Sequence, residues 1–102
     1  MNGTIEHIKS EFENRKLLLV DVREFSEWQQ GHITGAYFLP LSELLQGNLA
    51  LDTPKETPIY LYCASGQRVK KALELLTPSF PFVVALEFGF ETLKNYGFPC
   101  SC

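Results

Sequence analysis

The sequence predicts an α/β fold in which a mostly parallel sheet carries helices on both faces. Three observations point there. "KLLLVDVR", "IYLYC" and "FVVAL" are short, nearly continuous apolar runs, as in strands buried on both faces. The segments between them place apolar residues at helical spacing. Strand and helix also alternate along the chain, the pattern left by crossover connections. With 102 residues and 45% hydrophobic composition, the chain supports one core and a single domain over residues 1–102.

The elements follow in order. "TIEHIKSEFEN" has Ile5, Ile8 and Phe12 at helical spacing, with Thr4 as N-cap. After the strand "KLLLVDVR", "EFSEWQQG" reads as a short helix with Phe25 and Trp28 on one side, ended by Gly31. "GAYFLP" is a short strand stopped by Pro40, and "LSELLQG" a short helix with Ser42 near its start. "DTPKETP" is a surface turn, and "IYLYC" the next buried strand. A helix from about Arg68 aligns Val69, Ala72, Leu73 and Leu76 on one face and meets its limit at Pro78. "FVVAL" is a further strand, and "FETLKNYG" a last helix closed by Gly97 and Pro99.

Composition narrows the function classes. A net charge of −3 argues against nucleic acid as the main partner, because phosphate binding needs a basic face. Arg68, Lys70 and Lys71 form the basic cluster, at the start of one helix. No apolar stretch approaches the roughly 20 residues of a membrane span. The polar N-terminus "MNGTIEHIKSEFENRK" lacks the apolar core of a secretory signal, so a cytoplasmic location without a membrane partner is expected. Three cysteines do not make a disulfide framework, and a reducing compartment would keep them as thiols. His7, His32, Cys63, Cys100 and Cys102 lack zinc-ligand spacing, so no metal is expected, nor any cofactor.

The candidate nucleophile is Cys63. It ends a buried strand directly before a helix, at the sheet edge where ligands bind in open α/β folds. Unpaired N–H groups of the loop and first helical turn can converge on the sulfur, and the helix dipole favours negative charge there. The thiolate is the reactive form, and the same N–H groups suit an anionic substrate. Taken alone, Cys63 could equally be a small buried hydrophobe. Its setting favours an anion cradle: Ala64, Ser65 and Gly66 are small, Gly66 can take positive φ, and Arg68 supplies a cation.

These motifs together resemble the single-domain rhodanese family along nearly the whole chain. "LLLVDVREFSEWQQGHITGAYFLPLSEL" is similar to the family's D-x-R, E-x-x-x-G-H-I-x-G-A and proline-led helix, "PIYLYCASGQR" to its C-x-x-G-x-R active loop, and "NYGFP" to its close. The resemblance implies a rhodanese fold with a mostly parallel five-stranded sheet. It also implies that Cys63 forms a persulfide, taking sulfur from thiosulfate or a persulfide donor and passing it to cyanide, a thiol or a thioredoxin-like acceptor. Backbone N–H groups from Ala64 through Ser65, Gly66 and Gln67 to Arg68 would hold the persulfide. Four residues separate Cys63 from Arg68, whereas cysteine phosphatases and arsenate reductases on this fold use five. The shorter cradle favours sulfur transfer over phosphate chemistry. A non-catalytic module that senses or presents sulfur is the alternative from another class.

Supporting roles are expected for Asp21, Arg23, Glu27 and His32. Asp21 ends a strand at the Cys63 edge and can reach an arginine or a loop amide there, so Arg68 either binds the donor or braces the loop against Asp21. Arg23 and Glu27 could pair at i,i+4 in the helix, and His32 fixes the turn. Phe25, Trp28, Tyr60 and Tyr62 are expected as core or pocket wall. Against the family pattern, Val69 stands where a serine commonly follows the arginine, and Phe88 and Leu93 replace a glycine and a tryptophan. The uncharged Ala64, Ser65 and Gln67 differ from loops specialised for thiosulfate. Cys100 and Cys102 are expected on a mobile tail at the opposite sheet edge, out of reach of Cys63.

Overall fold

The structure, a computed structural model, describes residues 4–48, 51–64 and 66–101. Helix α1 (Ile5–Glu13) starts at Thr4, whose side chain accepts from the His7 N–H at 3.2 Å. Strand β1 (Leu18–Asp21) leads through Arg23 to α2 (Phe25–Gln30), which Gly31 closes. Strands β2 (His32–Ile33) and β3 (Tyr37–Phe38) precede α3 (Leu41–Leu45). Then come β4 (Ile59–Tyr62), α4 (Arg68–Leu76), β5 (Val83–Ala85), α5 (Phe90–Tyr96) and β6 (Cys100–Ser101).

The main sheet is parallel throughout, in the order β3-β1-β4-β5. It has four strands where five were expected. The remaining two, β2 and β6, form a separate antiparallel pair, His32 opposite Ser101 and Ile33 opposite Cys100. The tail is therefore tied down by a strand pairing, which corrects the expectation of a mobile end. Neither two-residue strand has enough pattern of its own to be read from sequence.

Side-chain alternation along the central strands sorts the core into two halves. Val20, Ile59, Leu61 and Cys63 pack with Leu44 of α3 and with Val69, Ala72 and Leu76 of α4. Leu19 and Tyr62 pack on the other face with Ile8 of α1 and Phe90 and Leu93 of α5. Helices thus cover both faces, as expected. Among the described residues no helix is long and apolar enough to cross a membrane.

Register brings the functional residues together. Asp21 pairs with Tyr62, so Val22 and Cys63 emerge side by side at the carboxyl edge of the sheet. The Val22 N–H donates to the Tyr62 carbonyl at 3.0 Å, the Leu86 N–H to Leu61 at 2.9 Å and the Phe90 N–H to Cys63 at 2.9 Å. Backbone hydrogen bonds to neighbouring segments therefore hold the end of β4 from both sides.

Candidate active site

Cys63 is a free cysteine with no exposed surface, continuing the alternation of Ile59 and Leu61. The chain beyond it turns tightly. Gly66 has φ +83°, a left-handed conformation that side chains disfavour, and this turns its N–H onto Cys63 Sγ at 3.1 Å. A sulfur bearing negative charge is the stronger acceptor for such a donor. Helix α4 starts two residues on, its N-cap Gln67 making no side-chain capping bond. Its first-turn N–H groups lack intrahelical acceptors. Of the loop residues expected around the sulfur, Gly66 places its N–H on it, and Ala64 and Gln67 are exposed. Ser65 lies outside the described residues, as does Cys102. Cys100 is disulfide-bonded, so the expectation of thiols holds for Cys63 and fails for Cys100.

A second chain segment presses on this loop. A Cβ on Gly89 would lie 2.0 Å from the Ala64 carbonyl oxygen and 3.2 Å from that of Cys63. Gly89 has ordinary extended dihedrals, φ −89° and ψ −179°, so space and not conformation demands glycine here. On the other side of the loop, a Cβ on Gly66 would meet the Glu87 carbonyl oxygen at 3.4 Å. The residues of "EFG" therefore clamp the loop through backbone. Reading motifs for side-chain chemistry missed Gly89; the one signal was the glycine directly before the apolar start of α5.

The charged residues pair differently from expectation. Asp21 is fully buried and engages Arg23, not Arg68. It accepts from Arg23 Nη2 at 2.8 Å, from Nε at 3.0 Å to each oxygen, and from the Arg23 backbone N–H at 2.9 Å. Arg23 Nη2 also donates to the Gly31 carbonyl at 2.7 Å, and its guanidinium lies 4.3 Å from the centre of the Phe90 ring. Burial opposes the Arg23 charge, but the hydrogen bonds and charge of Asp21 outweigh it and raise the pKa. Burial, with the Asp21 carboxylate beside it, pushes the Tyr62 hydroxyl up as well. That hydroxyl accepts from the Ile33 N–H at 3.3 Å, tying β2 to the end of β4.

Glu27 pairs with Arg68, not Arg23. Arg23 sits before the N-cap Glu24, outside α2, so the i,i+4 geometry assumed for it never forms. Glu27 instead receives Arg68 Nη1 on Oε1 at 2.6 Å and Nη2 on Oε2 at 2.8 Å, a two-point fork. Its Oε1 also accepts from the Glu24 N–H at 3.0 Å, one half of a capping box. Glu24 in turn accepts from Ser42 Oγ at 2.6 Å, linking α2 to α3. His32 makes the expected turn contact: its Nδ1 lies 2.9 Å from the Trp28 carbonyl, and its ring stacks on Trp28 at 3.6 Å.

The fork gives a pH prediction. Hydrogen bonding to Arg68 lowers the Glu27 pKa from the ordinary 4.5 to about 2, with burial opposing it. A depressed carboxyl contributes stability that is full above its unfolded pKa and is lost as pH falls through the folded one. Glu27→Gln should therefore cost on the order of 1 kcal/mol at neutral pH, after solvent screening of this part-exposed pair. Wild type and variant should converge as pH falls from 4.5 towards 2. Melting temperatures across that range check it; curves that stay parallel would contradict the pairing.

Fold and site together define an α/β domain with a free cysteine that accepts a backbone N–H at the carboxyl edge of a parallel sheet. The family model of the rhodanese-like domain matches residues 4–96, and the chain belongs to this family. The chain is 31% identical over 83 residues to thiosulfate sulfurtransferase GlpE of Coxiella burnetii, covering 80% of this chain and 76% of that one. It is 45% identical over 62 residues to the uncharacterized protein YqhL of Bacillus subtilis, covering 61% of this chain and 48% of that one. The chain thus spans about half of the Bacillus protein. The solution structure of the rhodanese-like domain of Alr3790 from Anabaena superposes with a TM-score of 0.79 at 29% identity, covering 95% of this chain and 75% of that one. A rhodanese-like domain protein from Staphylococcus aureus gives 0.75 at 25% identity, covering 92% and 91%.

Proposed function

We propose that this domain is a sulfurtransferase that carries sulfane sulfur on Cys63, from thiosulfate or a persulfide donor to a thiol or cyanide acceptor. The Gly66 N–H on Cys63 Sγ supports this most directly. A donor so placed stabilises the attacking thiolate and, after transfer, the negative charge of the persulfide. Attack by the thiolate on the donor's outer sulfur forms the Cys63–S bond and breaks the donor S–S bond, whose electron pair leaves with the donor. The acceptor then removes the outer sulfur and restores the thiolate, splitting one difficult transfer into two easier steps. The sulfurtransferase names of relatives such as that from Coxiella agree with this reading.

The complete burial of Cys63 favours one second reading, a module that holds and presents sulfur without useful turnover. Incubating the protein with thiosulfate or an alkyl persulfide and weighing its peptides tests the carrier role. Cys63 should gain about 32 Da as a persulfide. Subsequent release as thiocyanate with cyanide, over many cycles, distinguishes an enzyme from a presenting module. An unmodified Cys63 with every donor would overturn both readings.

A further inference from the structure

The cation of the cradle is already occupied. Both terminal nitrogens of Arg68 are engaged by Glu27, at 2.6 and 2.8 Å, in a planar fork that matches a carboxylate oxygen to each. Glu27 is itself held at N3 of α2 by the Glu24 N–H, so the carboxylate is fixed in place. Hydrogen bonding to Glu27, against the opposing effect of burial, raises the Arg68 pKa, and the charges of Glu27, of the Cys63 sulfur and of Glu24 add to it. The other nearby arginine, Arg23, is consumed by Asp21 and the Gly31 carbonyl. Lys70 and Lys71 are exposed on α4, while Val69 and Ala72 beside them face the core. Among the described loop residues, Ala64, Gly66 and Gln67 carry no charge.

Around the sulfur, then, the arginines are neutralised by carboxylates. A dianion such as thiosulfate has to compete for Arg68 with a carboxylate already bound to it at two points. A persulfide that leaves as a simple thiolate brings less charge and needs only the backbone N–H groups. We propose that the Glu27–Arg68 fork sets donor specificity, so that this site takes sulfur from low-charge alkyl persulfides in preference to thiosulfate. This rests on the reading of Cys63 as a sulfur carrier. The step is Cys63–S⁻ + R–S–SH → Cys63–S–SH + R–S⁻. The new bond joins Cys63 Sγ to the outer sulfur, the donor S–S bond breaks, and its electron pair leaves on the thiolate, with no oxidant required. Arg68 acts as a positioning residue that holds the first turn of α4 against α2.

The test compares second-order loading rates of Cys63 with thiosulfate and with an alkyl persulfide whose alkyl group is uncharged, followed by mass, in wild type, Glu27→Gln and the double variant Glu27→Gln, Arg68→Gln. The ratio of the two rates within each protein removes the intrinsic reactivity of the donors. Freeing Arg68 with Glu27→Gln should shift the ratio towards thiosulfate by about tenfold or more, the scale of one recovered charge-assisted contact. The double variant Glu27→Gln, Arg68→Gln removes both charges together and should leave the ratio within about threefold of wild type, even if both rates fall, because a merely structural loss strikes both donors alike. A tenfold loss of thiosulfate preference in the double variant would mean that Arg68 binds the dianion, and would overturn the inference while leaving the carrier role intact. So would an unchanged ratio in Glu27→Gln. Failure of both donors to load wild-type Cys63 would instead overturn the carrier role.

Discussion

Cys63→Ser protein is expected to keep its fold and to lose sulfur transfer to cyanide by at least about 10³-fold. The serine hydroxyl is close in size to the thiol and can accept the Gly66 N–H that now reaches Sγ. The site is fully buried in an apolar cluster, so the more polar hydroxyl should cost about 1–2 kcal/mol and no more. Chemistry suffers far more. An alkoxide is inaccessible at neutral pH, and oxygen cannot hold the transferred sulfur as a persulfide, so the covalent route closes. Circular dichroism and a thiocyanate assay on the same preparation separate the two effects. Residual turnover within about tenfold of wild type would remove Cys63 from the reaction.

Gly89→Ala should produce the second largest effect, although residue 89 contributes no side chain to the site. The added methyl would stand 2.0 Å from the Ala64 carbonyl oxygen and 2.8 Å from its carbon. Both are backbone atoms and cannot swing aside as a side-chain end could. Either the Cys63–Ala64 peptide moves or the start of α5 does, and the hydrogen bond from the Phe90 N–H to the Cys63 carbonyl weakens in both cases. Overpacking of this kind costs about 1–3 kcal/mol, and in a domain of this size each kcal/mol lowers the melting temperature by roughly 4–8 °C. The loading rate of Cys63 should fall further, by about 10², because a displacement near 1 Å of a reacting group has that effect. A protein with wild-type melting and loading would show that the loop and the "EFG" segment are not in contact.

The helices and main strands were legible because each is a local pattern. Thr4 announces α1, the run "LLLVD" announces β1, and Gly97 closes α5 with φ +113°. The turn that brings the Gly66 N–H to Cys63 was legible for the same reason: Cys63, Gly66 and the helix start lie within six consecutive positions. Partner choice was not. From the sequence Asp21 can reach either an arginine or a loop amide and Glu27 can pair with Arg23; the structure gives Asp21 to Arg23 and Glu27 to Arg68, and sequence separation says nothing about which way a chain turns between a strand and a helix. Arg68 and Glu27 are 41 residues apart and meet with both nitrogens.

The alternation of buried strands with amphipathic helices, and the thiol where a strand gives way to a helix, can be read from the chain alone. Both follow from periodicity and from the conformational limits of single residues. The tertiary structure decided which charge neutralises which, that the tail pairs with His32–Ile33 as a strand, and that Gly89 must leave room for the Ala64 carbonyl. Those are properties of distances between segments remote in the chain. Packing at van der Waals contact fixes such distances, and no local pattern encodes them.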